Sequence, residues 1–157
     1  MHETATFELD PRLAGDTLPL GDLPLCRVLL MNDARYAWMV LVPRLAGCTE
    51  LDQLDRPQRA QLMDEIAMAS AVLRAEPDAY KLNVGALGNV VRQLHVHVLA
   101  RHRGDPAWPG PVWGRGRAQA YPPDQAASRL ETFQARWRIA AGRDYAPFAS
   151  GQPPVGK

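Results

Sequence analysis

No stretch of this chain approaches the roughly 18 consecutive apolar residues that a membrane-spanning helix needs, so a membrane span is not expected. A net charge of only +1 gives no argument for nucleic acid or an anionic membrane surface as a partner, both of which are favoured by a basic excess. The arginines of the C-terminal half are interspersed with acids and apolar residues, the pattern of a solvated surface. Cysteine is scarce. Cys26 and Cys48 are the only two, too few for a disulfide framework. A single bridge between them is compatible with the count. The N-terminal MHETATFELD, however, carries acids early and lacks a basic-then-apolar leader pattern, so the expectation is a cytoplasmic protein with both thiols reduced. No internal repeat is visible, and 157 residues suit one domain.

What is present reads as strands, a helix, more strands and a final helix. LCRVLLM (25–31) and AWMVLVP (37–43) are apolar, β-branched runs separated by the polar NDARY, the signature of two antiparallel strands. Asp55 followed by Gln58 has capping-box spacing, with Pro57 tolerable in a first turn. Leu62, Met63, Ile66, Ala67, Ser70 and Leu73 then recur at helical spacing until Pro77, predicting a helix from Asp55 to about Glu76. YKLNVGA (80–86) reads as a strand and Gly88-Asn89 as a turn. GDPAWPGPVWGRG (104–116) is too rich in Gly and Pro for a regular element. A last helix is expected at about 124–141, with Leu130, Phe133, Trp137 and Ala141 as its apolar stripe and Gly142 as its C-terminal cap. The layout is one α+β domain over residues 1–144, followed by a flexible tail at 145–157.

The segment RQLHVHVLAR (92–101) carries the chemistry. Polar Gln93, His95 and His97 alternate with apolar Leu94, Val96 and Val98. In a strand, alternate residues share a face at a spacing of roughly 6.6–6.8 Å, so Gln93, His95, His97 and Leu99 face one way and the valines pack on the core. Three readings of the polar face stand open on alternation alone: a half-exposed sheet surface, a metal site, or acid–base and nucleophilic chemistry at a phosphate. A zinc site wants three or four ligands. His102 lies on the opposite parity and neither cysteine has ligand spacing, so no resident metal is expected.

The longer stretch YKLNVGALGNVVRQLHVHVLAR (80–101) resembles the histidine triad family of nucleotidyl hydrolases and transferases, whose signature is His-φ-His-φ-His-φ-φ with φ apolar. In that family a glycine stands five residues before the first triad position, and an Asn lies on the preceding strand. Gly88 stands five before Gln93, and Asn83 lies on the preceding strand, so Gln93 holds the first triad position, His95 the middle and His97 the third. The resemblance covers about residues 25–105, with WMVLVPR (38–44) similar to the family strand that ends in a Val-Ile-Pro-Lys type sequence. AWPGPVWG is similar to the Trp-Pro-Pro-Gly of some members, whereas the C-terminal helix has no counterpart.

The resemblance implies an antiparallel sheet with a helix packed on it, and cleavage at the α-phosphate of a nucleotide of the diadenosine polyphosphate or nucleoside phosphoramidate type. His95 would be the nucleophile, passing through a covalent nucleotidyl-histidine, and His97 would donate to the phosphate or the leaving group. Asn83 would support the site by a hydrogen bond. Gly88, Asn89 and Val90 would form the phosphate turn, and Asn32 would contact the ribose. No cofactor is implied beyond Mg²⁺ arriving with substrate phosphates. The partners implied are a purine nucleotide or dinucleotide and a second copy of the chain, with no nucleic acid and no membrane. Four positions depart from the family: Asn89 replaces Gln, Val90 replaces a hydroxyl residue, Trp38 stands where a histidine is usual, and Gln93 replaces the first triad histidine. Gln can orient neighbours through its amide but carries no charge and relays no proton. A nucleotide-binding module without turnover is therefore the alternative. Trp38, Trp108 and Trp113 are expected as core or interface residues rather than as stacking platforms.

Overall fold

Asp55 opens the long helix by the reciprocal capping its spacing predicts. Its carboxylate accepts from Gln58 N–H at 2.8 Å, and Gln58 Oε1 accepts from Asp55 N–H at 2.9 Å. The computed structural model describes residues 6–149. Its elements are α1 (Pro11–Asp16), β1 (Thr17–Asp22), β2 (Cys26–Met31), β3 (Ala37–Pro43), α2 (Arg56–Arg74), β4 (Lys81–Gly85), β5 (Val96–Arg101), α3 (Pro123–Ala141) and β6 (Ala146–Pro147), with short 3₁₀ turns at Leu51–Gln53 and Gly142–Asp144.

The six strands form one antiparallel sheet in the order β4-β5-β3-β2-β1-β6. Both faces of its middle are covered. Val28, Leu30, Met39, Leu41, Val96 and Val98 pack toward α2 and α3, together with Leu62, Leu73, Phe133 and Trp137. Leu29, Trp38, Val40, Val42 and Leu99 form a second apolar layer with Leu13 of α1 and with Ala107 and Val112 of the Gly/Pro-rich loop. That second layer accounts for the almost unbroken apolar runs of β2 and β3, since a strand buried on both sides does not alternate.

Three features differ from the sequence reading. The buried face of α2 is Leu62, Glu65, Ala69, Val72 and Leu73, while Met63 is 63% exposed. Glu65 is tolerated inside because its carboxylate accepts from the main-chain N–H groups of Leu25 and Cys26, both at 2.8 Å, at the start of β2. The segment before Leu25 supplies a helix and a strand that its Pro and Gly content disguised. The tail expected to be flexible from Tyr145 is docked at its start. Tyr145 stacks on Trp137 with ring centres 5.9 Å apart and donates its hydroxyl to Leu20 O at 2.8 Å. Ala146–Pro147 pairs with Gly21 and Asp22 of β1. Residues 150–157 of the expected tail lie outside the described residues. Among the described residues no helix is long and apolar enough to cross a membrane, and both cysteines are free and buried.

Candidate active site

β5 begins at Val96, four residues later than the alternation suggests. Residues 92–95 leave the sheet, and Leu94 N–H donates instead to Cys48 O at 3.0 Å. His97 lies within β5, between Val40 of β3 and Gly85 of β4, whereas His95 sits just ahead of it. The two imidazole centres are 4.9 Å apart in edge-to-face contact. They are 7% and 6% exposed, which rules out the half-exposed sheet surface as an account of them. Buried imidazoles need partners.

The partners differ. His95 Nδ1 is 2.6 Å from the main-chain carbonyl of Gln93. A carbonyl only accepts, so Nδ1 carries the proton and Nε2 carries the free lone pair. His97 Nδ1 lies 3.0 Å from the indole Nε1 of Trp38, which reaches it diagonally across the β3–β5 pair. Burial, followed by the neighbouring charge of His95, pushes the His97 pKa down to about 4, so this ring is neutral at pH 7.

Beside the two histidines lies a cleft of about 660 Å³, a size that accommodates a nucleotide. The turn at Gly88, Asn89 and Val90 lines it, and Gly88 adopts φ +72°, a conformation glycine accepts without strain. Asn32 also lines it, with Oδ1 accepting from Tyr121 N–H at 2.9 Å. Arg35 and Arg115 border the cleft as cationic groups that the sequence reading missed. Arg35 is paired with Asp33 at 2.7 Å, and Arg115 makes no salt bridge among the described residues. Trp113 forms a wall, its ring centre 5.6 Å from that of His97, whereas Trp108 packs on Tyr80 away from the cleft.

Two residues expected at the site reach it by other routes than expected. The Gln93 side chain makes no hydrogen bond to the imidazoles. Its amide bonds to the main chain of the N-terminal segment, and only its carbonyl reaches His95. Asn83 is not on the cleft wall. Its Oδ1 accepts from Arg101 Nη1 at 2.7 Å. Arg101 in turn pairs with Asp105 at 2.6 Å and donates to Gly110 O at 2.8 Å, with both charged side chains essentially inaccessible. This buried network fastens the loop 104–116, and with it Trp113, onto β5. Gly85 completes the wall from behind: a Cβ there would stand 2.9 Å from the Trp113 ring. Trp38 is the residue least visible beforehand, because its partner is 59 positions away and only the strand register brings them together. Among the described residues, no three His, Cys, Asp or Glu side chains come together as a metal-ligand group.

The family profile of the HIT domain matches residues 15–104, which span both histidines and the turn. A histidine triad (HIT) protein from Sinorhizobium meliloti is 45% identical with a TM-score of 0.81, covering 85% of this chain and 99% of its own. A histidine triad protein from Marinobacter aquaeolei is 43% identical with a TM-score of 0.83, covering 87% of this chain and 100% of its own. A trans-aconitate 2-methyltransferase from Methylobacterium nodulans is 31% identical over 152 residues. The match takes in 79% of this chain, which spans 57% of the length of that curated relative.

Proposed function

Because the chain belongs to the HIT domain family, we propose that it is a nucleotidyl hydrolase or transferase cleaving at the α-phosphate of a purine nucleotide or dinucleotide. The observation that carries this reading is the hydrogen bond from His95 Nδ1 to Gln93 O, which leaves Nε2 as a free nucleophile beside a nucleotide-sized cleft. A neutral imidazole attacks phosphorus readily near pH 7, and a covalent intermediate divides one difficult displacement into two. In the first step the Nε2 lone pair forms the N–P bond while the leaving group departs with the electron pair of its own bond. In the second, water attacks phosphorus, releases a proton to solvent and returns the electron pair to Nε2. His97 donates from Nε2–H toward the phosphate or the departing atom. The main chain of the Gly88–Val90 turn supplies further N–H groups, without the side-chain hydroxyl that Val90 lacks.

We read the chain as a branch in which glutamine takes the place of the first triad histidine and grips the N-terminal segment. The reaction requires no resident cofactor, and Mg²⁺ would enter with the substrate phosphates. A homodimer is also part of the proposal. β4 is an outer strand of the sheet, and beside it Leu51, Met63 and Val84 border an apolar hollow of about 310 Å³. Mixing the protein with diadenosine polyphosphates and with an adenosine phosphoramidate tests the function. Release of AMP, with a nucleotidyl-histidine trapped by rapid quench and located at His95 by mass spectrometry, is the expected result. Binding without AMP release would make the protein a nucleotide-binding module, and absence of both would overturn the reading.

A further inference from the structure

The contact between Trp38 and His97 constrains what His97 can do. An indole nitrogen donates and cannot accept, so at 3.0 Å it obliges His97 Nδ1 to be the acceptor and puts the ring proton on Nε2. The indole is not free to turn away. It is 7% exposed and held edge-to-face by Tyr36 at 6.1 Å and Trp113 at 6.3 Å. A proton added to Nδ1 would aim two N–H groups at each other and orphan the indole inside the protein. Nothing nearby offsets that cost. Of the charged and titratable groups around the cleft, His95 is the nearest ring, Arg35 and Arg115 are cationic, Asp33 is already paired with Arg35, and Asp16 is exposed.

Building on the reaction proposed above, we infer that Trp38 is a positioning residue that holds His97 as a neutral Nε2–H donor, selecting leaving groups that depart as stable anions. When the bond to phosphorus breaks, its electron pair goes to the leaving atom. His97 can hydrogen-bond to that atom but cannot surrender its proton, because the product would be an imidazolate. A phosphate released from a phosphoanhydride leaves as an anion and takes any proton from solvent. The amine of a phosphoramidate, or an alkoxide, needs the proton before or during departure, and this site has none to give. The depressed basicity of His97 agrees with the same assignment.

Ring-nitrogen NMR of the full chain, recorded from about pH 5 to pH 8, reads the tautomer without any turnover. The Nε2–H form of neutral His97 is expected throughout; a charged ring or an Nδ1–H form at neutral pH would overturn the inference. A series of adenosine 5′-phosphoryl compounds with leaving groups of graded acidity reads the selectivity. The phosphoanhydride should turn over about 10²-fold or more faster than the phosphoramidate, the range that a missing general acid commands. In Trp38→Phe, which frees Nδ1 to take a proton, that ratio should shrink by about tenfold or more. Equal turnover of the two compounds by the parent protein, or an unchanged ratio in a folded Trp38→Phe, would refute it. Should the variant not fold, the parent's spectrum and leaving-group series decide. Should the parent turn over no nucleotide at all, the proposed reaction and the selectivity both fail, while the spectrum still decides whether Trp38 holds His97.

Discussion

The side-chain amide of Gln93 clasps the main chain around Asp10: Oε1 accepts from Asp10 N–H at 2.9 Å, and Nε2 donates to Glu8 O at 2.8 Å. Asp10 in turn caps α1, accepting from Arg12 N–H at 2.8 Å. One residue therefore anchors the N-terminal segment with its side chain and orients His95 with its carbonyl. Gln93→Leu keeps the size and removes both side-chain bonds, and unfolding in urea should show a loss of about 0.5–1.5 kcal/mol from the lost hydrogen bonds. Amide exchange should quicken across residues 8–16. Gln93→His should keep the fold and stay within about tenfold of parental activity, because the carbonyl that holds His95 is unaltered. Parental stability in Gln93→Leu would show that the clasp contributes nothing.

His95→Ala should lower turnover by about 10³-fold or more, roughly 4 kcal/mol of barrier, and abolish the trapped nucleotidyl adduct. His97→Ala removes one hydrogen-bond donor and should cost about 10²–10³-fold while the adduct still forms. The reverse order of effects in quenched-flow measurements would exchange the two roles.

Acid should weaken the fold first through His97. Its folded pKa, pushed down to about 4, lies below the ordinary 6.5, so the unfolded chain takes up this proton first. The contribution is complete above about pH 6.5 and is lost as pH falls toward about 4. Asp33, Asp105 and Glu76 act in a lower window. Burial works against their charged forms, but hydrogen bonds, main-chain ones included for Asp33 and Asp105, together with the charge of their arginine partners outweigh it and hold all three below the usual carboxylate range. Thermal melts of the parent and His97→Gln should therefore diverge in slope between about pH 4 and 6.5 and run parallel above it. Parallel melts across the whole range would contradict the depressed pKa.

If the homodimer forms through the β4 edge, a charge there should separate it. Val84 is 49% exposed and Met63 63% exposed beside the apolar hollow. Light scattering should find parent dimers, whereas the double variant Met63→Lys, Val84→Lys should be monomeric with an unchanged circular dichroism spectrum. Dimers in both would move the interface elsewhere.

Local signals made β2, β3, α2, β4 and α3 legible, because capping boxes, apolar periodicity and Gly/Pro breaks act within a few residues. β1 was hidden by Pro19 and Gly21, which weaken any strand signal, and its bulge falls between those two residues. The start of β5 was misjudged because alternation continues through Gln93 and His95, while Leu94 is drawn off by Cys48, which is distant in sequence. At the site, the pairing of the two histidines and the glycine turn could be read from spacing. The clasp of Gln93, the indole partner of His97 and the diversion of Asn83 to Arg101 could not, since each joins side chains to groups 18 to 85 positions away.

The missing side chain at Gly85 leaves Trp113 room to lie flush against β4, directly opposite His97. One wall of the cleft thus rests on a residue that does not itself line the cleft. Adding one methyl group there would collide with the ring and force the tryptophan or the strand to give way, so the position of that wall depends on an atom that this chain omits.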